Sequence, residues 1–118
     1  VTVQLLIVDD DRTMLDLLLR VLAHPNWSIC VAHGGFAALD ELARMTYDVV
    51  VSDLEMPGVD GRTVLAFARE RSPQAIRICV TGADVGANDL DAVVIAKPFR
   101  PNRLRSTIEA ALALREPP

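Results

Sequence analysis

The chain has 118 residues, 51% of them apolar, which suits one packed domain and leaves no room for a second core. Its net charge is −4 and it has no basic run, which argues against a protein whose main task is gripping nucleic acid. No apolar stretch approaches the ~20 residues of a membrane span, and the start, Val1-Thr2-Val3-Gln4, lacks the charged segment of a secretory signal. The expectation is a cytoplasmic protein with no membrane contact and no direct nucleic-acid contact. The missing initiator Met points to a domain, 1–118, cut from a longer chain.

Short apolar runs alternate with helical patterns along the sequence. The first run, 3–8, precedes a helical pattern over 13–23 with Met14, Leu15, Leu18, Val21 and Leu22 at helical spacing. The second run, 28–32, precedes a pattern over 36–45 carrying Phe36, Leu39, Leu42 and Ala43. The third, 48–52, leads through a turn-rich loop to 62–71, with Val64, Leu65 and Ala68. The fourth and fifth runs, 76–80 and 93–96, are followed by a last helix over 102–115 with Leu104, Ile108, Ala111 and Leu112. Each run is continuous rather than alternating, the pattern of parallel strands covered on both faces. Five β-α repeats in this length predict an α/β three-layer sandwich. All strand C-termini then share one edge, where open α/β sheets place their ligand sites.

The residues at that edge carry the chemistry. Asp9 and Asp10 follow the first run, Asp53 the third, Thr81 the fourth, and Lys97 and Pro98 the fifth. His33 and Gly34, after the second, read as a turn. Two carboxylates ~4 Å apart repel by about 4 kcal/mol at an effective dielectric of 20. Three of them therefore raise a pKa or recruit a cation. Short hard-oxygen side chains suit Mg²⁺, or Mn²⁺, together with a phosphate. A carboxylate held there can attack a phosphoryl group to form an aspartyl phosphate. Lys97 is the only lysine beside eleven arginines, a compact ammonium where a phosphoryl oxygen needs one. Thr81 can donate its hydroxyl proton to the same group.

These residues resemble the receiver domain of two-component response regulators over essentially the whole chain. The resemblance rests on Leu5-Leu6-Ile7-Val8-Asp9-Asp10, on Asp53 with Met56-Pro57-Gly58-Val59-Asp60-Gly61, on Val80-Thr81-Gly82, and on Lys97-Pro98-Phe99. It implies the flavodoxin-like strand order 2-1-3-4-5. It implies that Asp53 accepts a phosphoryl group from a sensor histidine kinase or a phosphotransfer protein of a phosphorelay. Asp10 and Asp53 would ligate the metal directly, Asp9 through water or a hydrogen bond, and Glu55 through its backbone carbonyl. Thr81 would close on the phosphoryl group and Lys97 would neutralise it. Pro57, Gly58 and Gly61 would shape the turn, and the Lys97-Pro98 bond would be cis. The domain would be a phosphoprotein switch rather than an enzyme, limited to self-phosphotransfer and slow autodephosphorylation. The Glu55 side chain stands where the family tunes that hydrolysis.

The sequence also departs from the family. Fifteen residues separate Thr81 from Lys97, fewer than is usual, so the fourth helix is expected to be shortened to one or two turns. Val94 stands three residues before the lysine, where receivers usually carry an aromatic switch residue. Phosphoryl chemistry is expected to survive while that relay, and the usual homodimer surface, are altered. Two other readings remain. One is a docking module independent of phosphorylation. The other is a haloacid-dehalogenase-type phosphatase, since Asp9-Asp10-Asp11-Arg12-Thr13 fits D-x-D-x-T with Asp9 as nucleophile and Asp11 as acid. The latter leaves Asp53 and its loop unexplained.

The remaining singled-out residues read as structural. Cys30 and Cys79 read as two buried, reduced side chains, and the strand order that the resemblance implies would set them too far apart for a bridge. His24 and His33 read as loop residues, and Trp27 as a cover for the bottom of the sheet. Arg100, Arg103 and Arg105 read as a solvated face at the start of the last helix. Glu116-Pro117-Pro118 reads as the start of a linker to an effector domain.

Overall fold

The computed structural model describes residues 2–82 and 91–115. Its elements are β1 (Val3–Asp9), α1 (Arg12–Val21), β2 (Trp27–His33), α2 (Gly35–Arg44), β3 (Val49–Asp53), α3 (Gly61–Arg71), β4 (Ile76–Thr81), β5 (Val93–Ala96) and α4 (Pro101–Arg115). The strands are parallel and ordered β2-β1-β3-β4-β5, the order the resemblance implies. The shortened helix expected between Thr81 and Lys97 would fall on residues 83–90, outside the described residues. The linker expected at 116–118 lies outside them too.

Alternate side chains of the central strands feed two core layers, because successive Cβ atoms point to opposite faces. Leu5, Ile7, Val49, Val51, Ile78 and Val80 pack with Leu15 and Leu18 of α1 and Leu104 and Ile108 of α4. On the other face, Leu6, Val8 and Val50 pack with Ala38 and Leu42 of α2 and Val64, Leu65 and Ala68 of α3. Every residue of β3 is buried. The expectation that all five runs are covered on both faces fails at the edges. In β2 only Ala32 is buried, and in β5 only Ile95. Each of these strands has a single neighbour, and the helices close over the middle of the sheet.

Two core assignments change for related reasons. The buried stripe of α2 is Gly35, Ala38 and Leu42, whereas Phe36 is 71% exposed and Ala43 is exposed too. The helix docks through its smallest residue: a Cβ on Gly35 would lie 2.1 Å from the Val59 carbonyl oxygen. Cys30 is half-buried because it sits on edge strand β2, whereas Cys79 on β4 is fully enclosed, and both are free thiols. Burial, then the Asp53 charge, pushes the Cys79 thiol up to about 11. Strands β1 and β3 intervene between them, about 14 Å at ~4.8 Å per strand, which excludes a bridge.

The foot of the sheet, where the strands begin, is fastened by arginines. Trp27 packs there against the α1/α4 layer, with His24 stacked on it at 4.7 Å between ring centres. Arg105 is not part of a solvated face. Its Nη1 donates to the Val21 and Ala23 carbonyls at 2.9 and 3.0 Å, capping the end of α1, and its guanidinium lies 5.5 Å from the Trp27 ring centre. Arg100 and Arg103 are exposed, as expected. At the foot of β5, the Asp91 carboxylate takes Arg69 of α3 at 3.0 Å and Arg77 of β4 at 3.3 Å. The Arg77 side chain is only 10% exposed.

Candidate functional site

The acidic residues are set by the ends of the sheet ladder. Asp9, Asp53 and Thr81 are the last residues of β1, β3 and β4, one position further into the strands than the apolar runs indicate. Their backbones are registered against His33, Val80 and Ala96 respectively. Asp10 and Lys97 each follow one residue past a strand end. The Lys97 N–H donates to the Thr81 carbonyl at 2.8 Å, so the lysine is tied to the neighbouring strand. The Lys97-Pro98 bond is cis.

Asp9, Asp10 and Asp53 each bring one carboxylate oxygen within 4.8 Å of the others. Asp9 and Asp53 are buried and Asp10 is exposed. Lys97 Nζ lies 3.1 Å from Asp53 Oδ2 and 3.9 Å from Asp9 Oδ2. Burial pushes the Asp9 carboxyl above its ordinary value. The Asp11 N–H and Lys97 pull it down, and the Asp53 and Asp10 charges push it up again. Three carboxylates against one ammonium leave a surplus of negative charge that a divalent cation would balance. The donors are all hard oxygens, so the residues fit Mg²⁺ or Mn²⁺. Thr81 is buried at the end of β4, on the same edge.

The loop after Asp53 is drawn tightly against the sheet. Leu54 N–H donates to the Val80 carbonyl at 3.2 Å, and Gly61 N–H to the Leu54 carbonyl at 2.8 Å. Gly58 has φ +77°, a conformation glycine adopts without strain. A Cβ on Gly61 would lie 2.1 Å from the Asp53 carbonyl oxygen, so only glycine lets α3 begin against the end of β3. Asp60 caps α3 by accepting the Thr63 N–H at 3.0 Å, a bond that holds its carboxyl below the usual range. Glu55 and Pro57 are exposed on this loop, while Met56 is buried beneath it. Val94 is half-buried against the α2/α3 layer.

Asp11 and His33 take roles that the sequence left open or missed. The Asp11 carboxylate accepts the Thr13 N–H at 2.9 Å and caps α1, so it is engaged as a cap rather than held as an acid over Asp9. His33 is not a bystander in a turn: it ends β2, and its Nε2 lies 2.8 Å from the Asp10 carbonyl oxygen. The strand order could have revealed this, since it places the last residue of β2 beside the last residue of β1.

Comparison with known proteins agrees with this geometry. The family profile of the response regulator receiver domain matches residues 5–109. The chain belongs to this family. The receiver is 33% identical over 118 residues to the uncharacterized transcriptional regulatory protein YkoG of Bacillus subtilis, covering 92% of this chain and 50% of that protein. It is 35% identical over 117 residues to the transcriptional regulatory protein FixJ of Bradyrhizobium diazoefficiens, covering 94% and 57%. The chain thus spans about half the length of the curated relatives it matches. A CheY-like response regulator receiver domain protein from Methanospirillum hungatei shares the fold, with a TM-score of 0.88 at 24% identity, covering 97% of this chain and 96% of that one. Among the described residues of the receiver, no helix is long and apolar enough to cross a membrane.

Proposed function

We propose that this receiver takes a phosphoryl group onto Asp53 from a phosphohistidine donor, in a reaction that needs Mg²⁺ or Mn²⁺, and that the modified site changes its binding surface. The observation that carries the reading is the bridging of Asp53 and Asp9 by Lys97, with the Asp10 carboxylate alongside. Asp10, Asp53, Asp9 and the Glu55 carbonyl would hold the ion. When bound, it supplies positive charge for the phosphoryl oxygens.

An Asp53 oxygen attacks phosphorus, the P–N bond of the donor breaks, and the imidazole leaves with the electron pair. The product is an acyl phosphate on Asp53. The Lys97 ammonium then trades its Asp53 oxygen for a phosphoryl oxygen, and Thr81 donates its hydroxyl proton to another. The added charge, about −1.5 to −2 if it resembles other phosphoryl groups, biases two states a few kcal/mol apart. The natural donor would be a sensor histidine kinase or a phosphotransfer protein, in the cytoplasm. Readers of the switch would be an effector domain or a second copy.

The test is mass spectrometry of the intact chain after incubation with a small phosphodonor and Mg²⁺. One alkali-labile phosphate is expected, lost in Asp53→Ala and in EDTA. Uptake that persists in Asp53→Ala, or turnover of a generic phosphomonoester, overturns the reading.

Val94 supports a second reading, in which the receiver docks a partner regardless of phosphorylation. A beryllofluoride mimic separates the two readings. Equal partner affinity with and without it, in wild type and Asp53→Ala, selects the docking module.

A further inference from the structure

We propose that His33 is a positioning residue for the acidic pocket, holding the Asp10 turn in the shape that presents its carboxylate to Asp9 and Asp53. The inference rests on the metal-dependent reading above. Asp10 is the weakly fixed member of the three acids: it is exposed, and it lies beyond the last ladder residue of β1. The sheet therefore does not set its peptide, and an unfixed backbone would have to be ordered when the ion binds.

Three contacts provide that order beforehand. Gly34 N–H donates to the Asp9 carbonyl at 3.0 Å, carrying the β1/β2 register one step past the strands. Asp11 N–H donates to Asp9 Oδ1 at 2.9 Å. His33 Nε2 meets the Asp10 carbonyl at 2.8 Å, and since a carbonyl only accepts, that ring nitrogen carries the hydrogen. The Gly34 bond fixes the Asp9–Asp10 peptide, while the Asp10–Asp11 peptide is held at both edges, its N–H by Asp9 and its carbonyl by His33. The histidine's own placement follows from pairing with Asp9 across the ladder. Partners of this kind, which touch a ligand's backbone rather than the ion, govern how tightly a site binds.

The experiment uses the full chain in four forms: wild type, His33→Phe, His33→Ala and His33→Gln. Mg²⁺ affinity is measured by calorimetry, and amide exchange of Asp11 is followed by NMR in EDTA. Phe and Ala are expected to weaken Mg²⁺ about 5-fold and to speed Asp11 exchange. Gln, whose amide can donate from a similar reach, is expected to restore both. Thermal midpoints in EDTA report whether the Phe or Ala variant is damaged as a whole. If one is, the other supplies the comparison. Unchanged affinity and unchanged exchange in both overturn the proposal. If wild type takes up no Mg²⁺, the metal-dependent reading falls, and the exchange data in metal-free protein alone decide whether His33 pins the turn.

Discussion

Replacing Asp9 by Asn removes one of three crowded charges and keeps the oxygen that accepts the Asp11 N–H. The Asp53 carboxylate lies within 4.8 Å of Asp9, and Lys97 lies at 3.9 Å. At an effective dielectric of ~20 these give a repulsion of about 3.5 kcal/mol and an attraction of about 4 kcal/mol, which nearly cancel. Asp10 is exposed, so water screens its repulsion to about 1 kcal/mol. Burial of the charge is then the deciding cost, and it is the largest cause of the upward shift of the Asp9 carboxyl. The folded chain thus holds a proton at Asp9 more tightly than the unfolded chain does. The stability this gives is full below the unfolded value of 3.8 and is lost as pH rises through the raised folded value. At pH 7 in EDTA the Asn variant is expected to be about 1–2 kcal/mol more stable than wild type. That corresponds to roughly 3–8 °C in Tm, and the gain should shrink to nothing only well below pH 3.8. Urea unfolding followed by circular dichroism across this pH range measures it. Millimolar Mg²⁺ should narrow or reverse the difference, since wild type gains more from binding. An Asn variant no more stable than wild type at pH 7 without metal refutes the reasoning.

Gly61→Ala puts a methyl group 2.1 Å from the Asp53 carbonyl, a clash of backbone against backbone. It is expected to cost about 3 kcal/mol or more, read as a lower urea midpoint, and to reduce phosphate uptake as Asp53 is displaced. Arg105→Ala removes two bonds to the end of α1 and the cation over Trp27. A loss of about 1–2 kcal/mol is expected, with a shift in the emission of the only tryptophan and no change in Mg²⁺ affinity.

The fold was largely legible because buried parallel strands leave continuous apolar runs, and 3–8 and 48–52 are unmistakable in that respect. The pocket was legible because its acids and its lone lysine sit at the ends of such runs. What stayed hidden depends on neighbours that a linear pattern does not name. Phe36 has helical spacing, but the close approach of Gly35 to Val59 turns the helix so that the ring faces water. Arg105 resembles its solvated neighbours Arg100 and Arg103 in sequence, and only the crossing of α4 past the end of α1 gives it carbonyls to cap. Cys30 has an apolar context, yet its strand lies at an edge. His33 needed the register between β1 and β2 to be counted out to its last pair.

The bracket at the foot of β5 constrains how this sequence can drift. One carboxylate, Asp91, answers two guanidiniums, and one of those is nine-tenths enclosed. Losing the acid strands a sheltered cation, whereas losing Arg77 alone leaves Asp91 in water with Arg69. Substitution at 91 should therefore follow, not precede, a change of position 77 to an uncharged residue. Among near relatives the two sites are expected to vary as a pair, and a lineage with an aliphatic side chain at 77 has no electrostatic reason to keep an acid at 91.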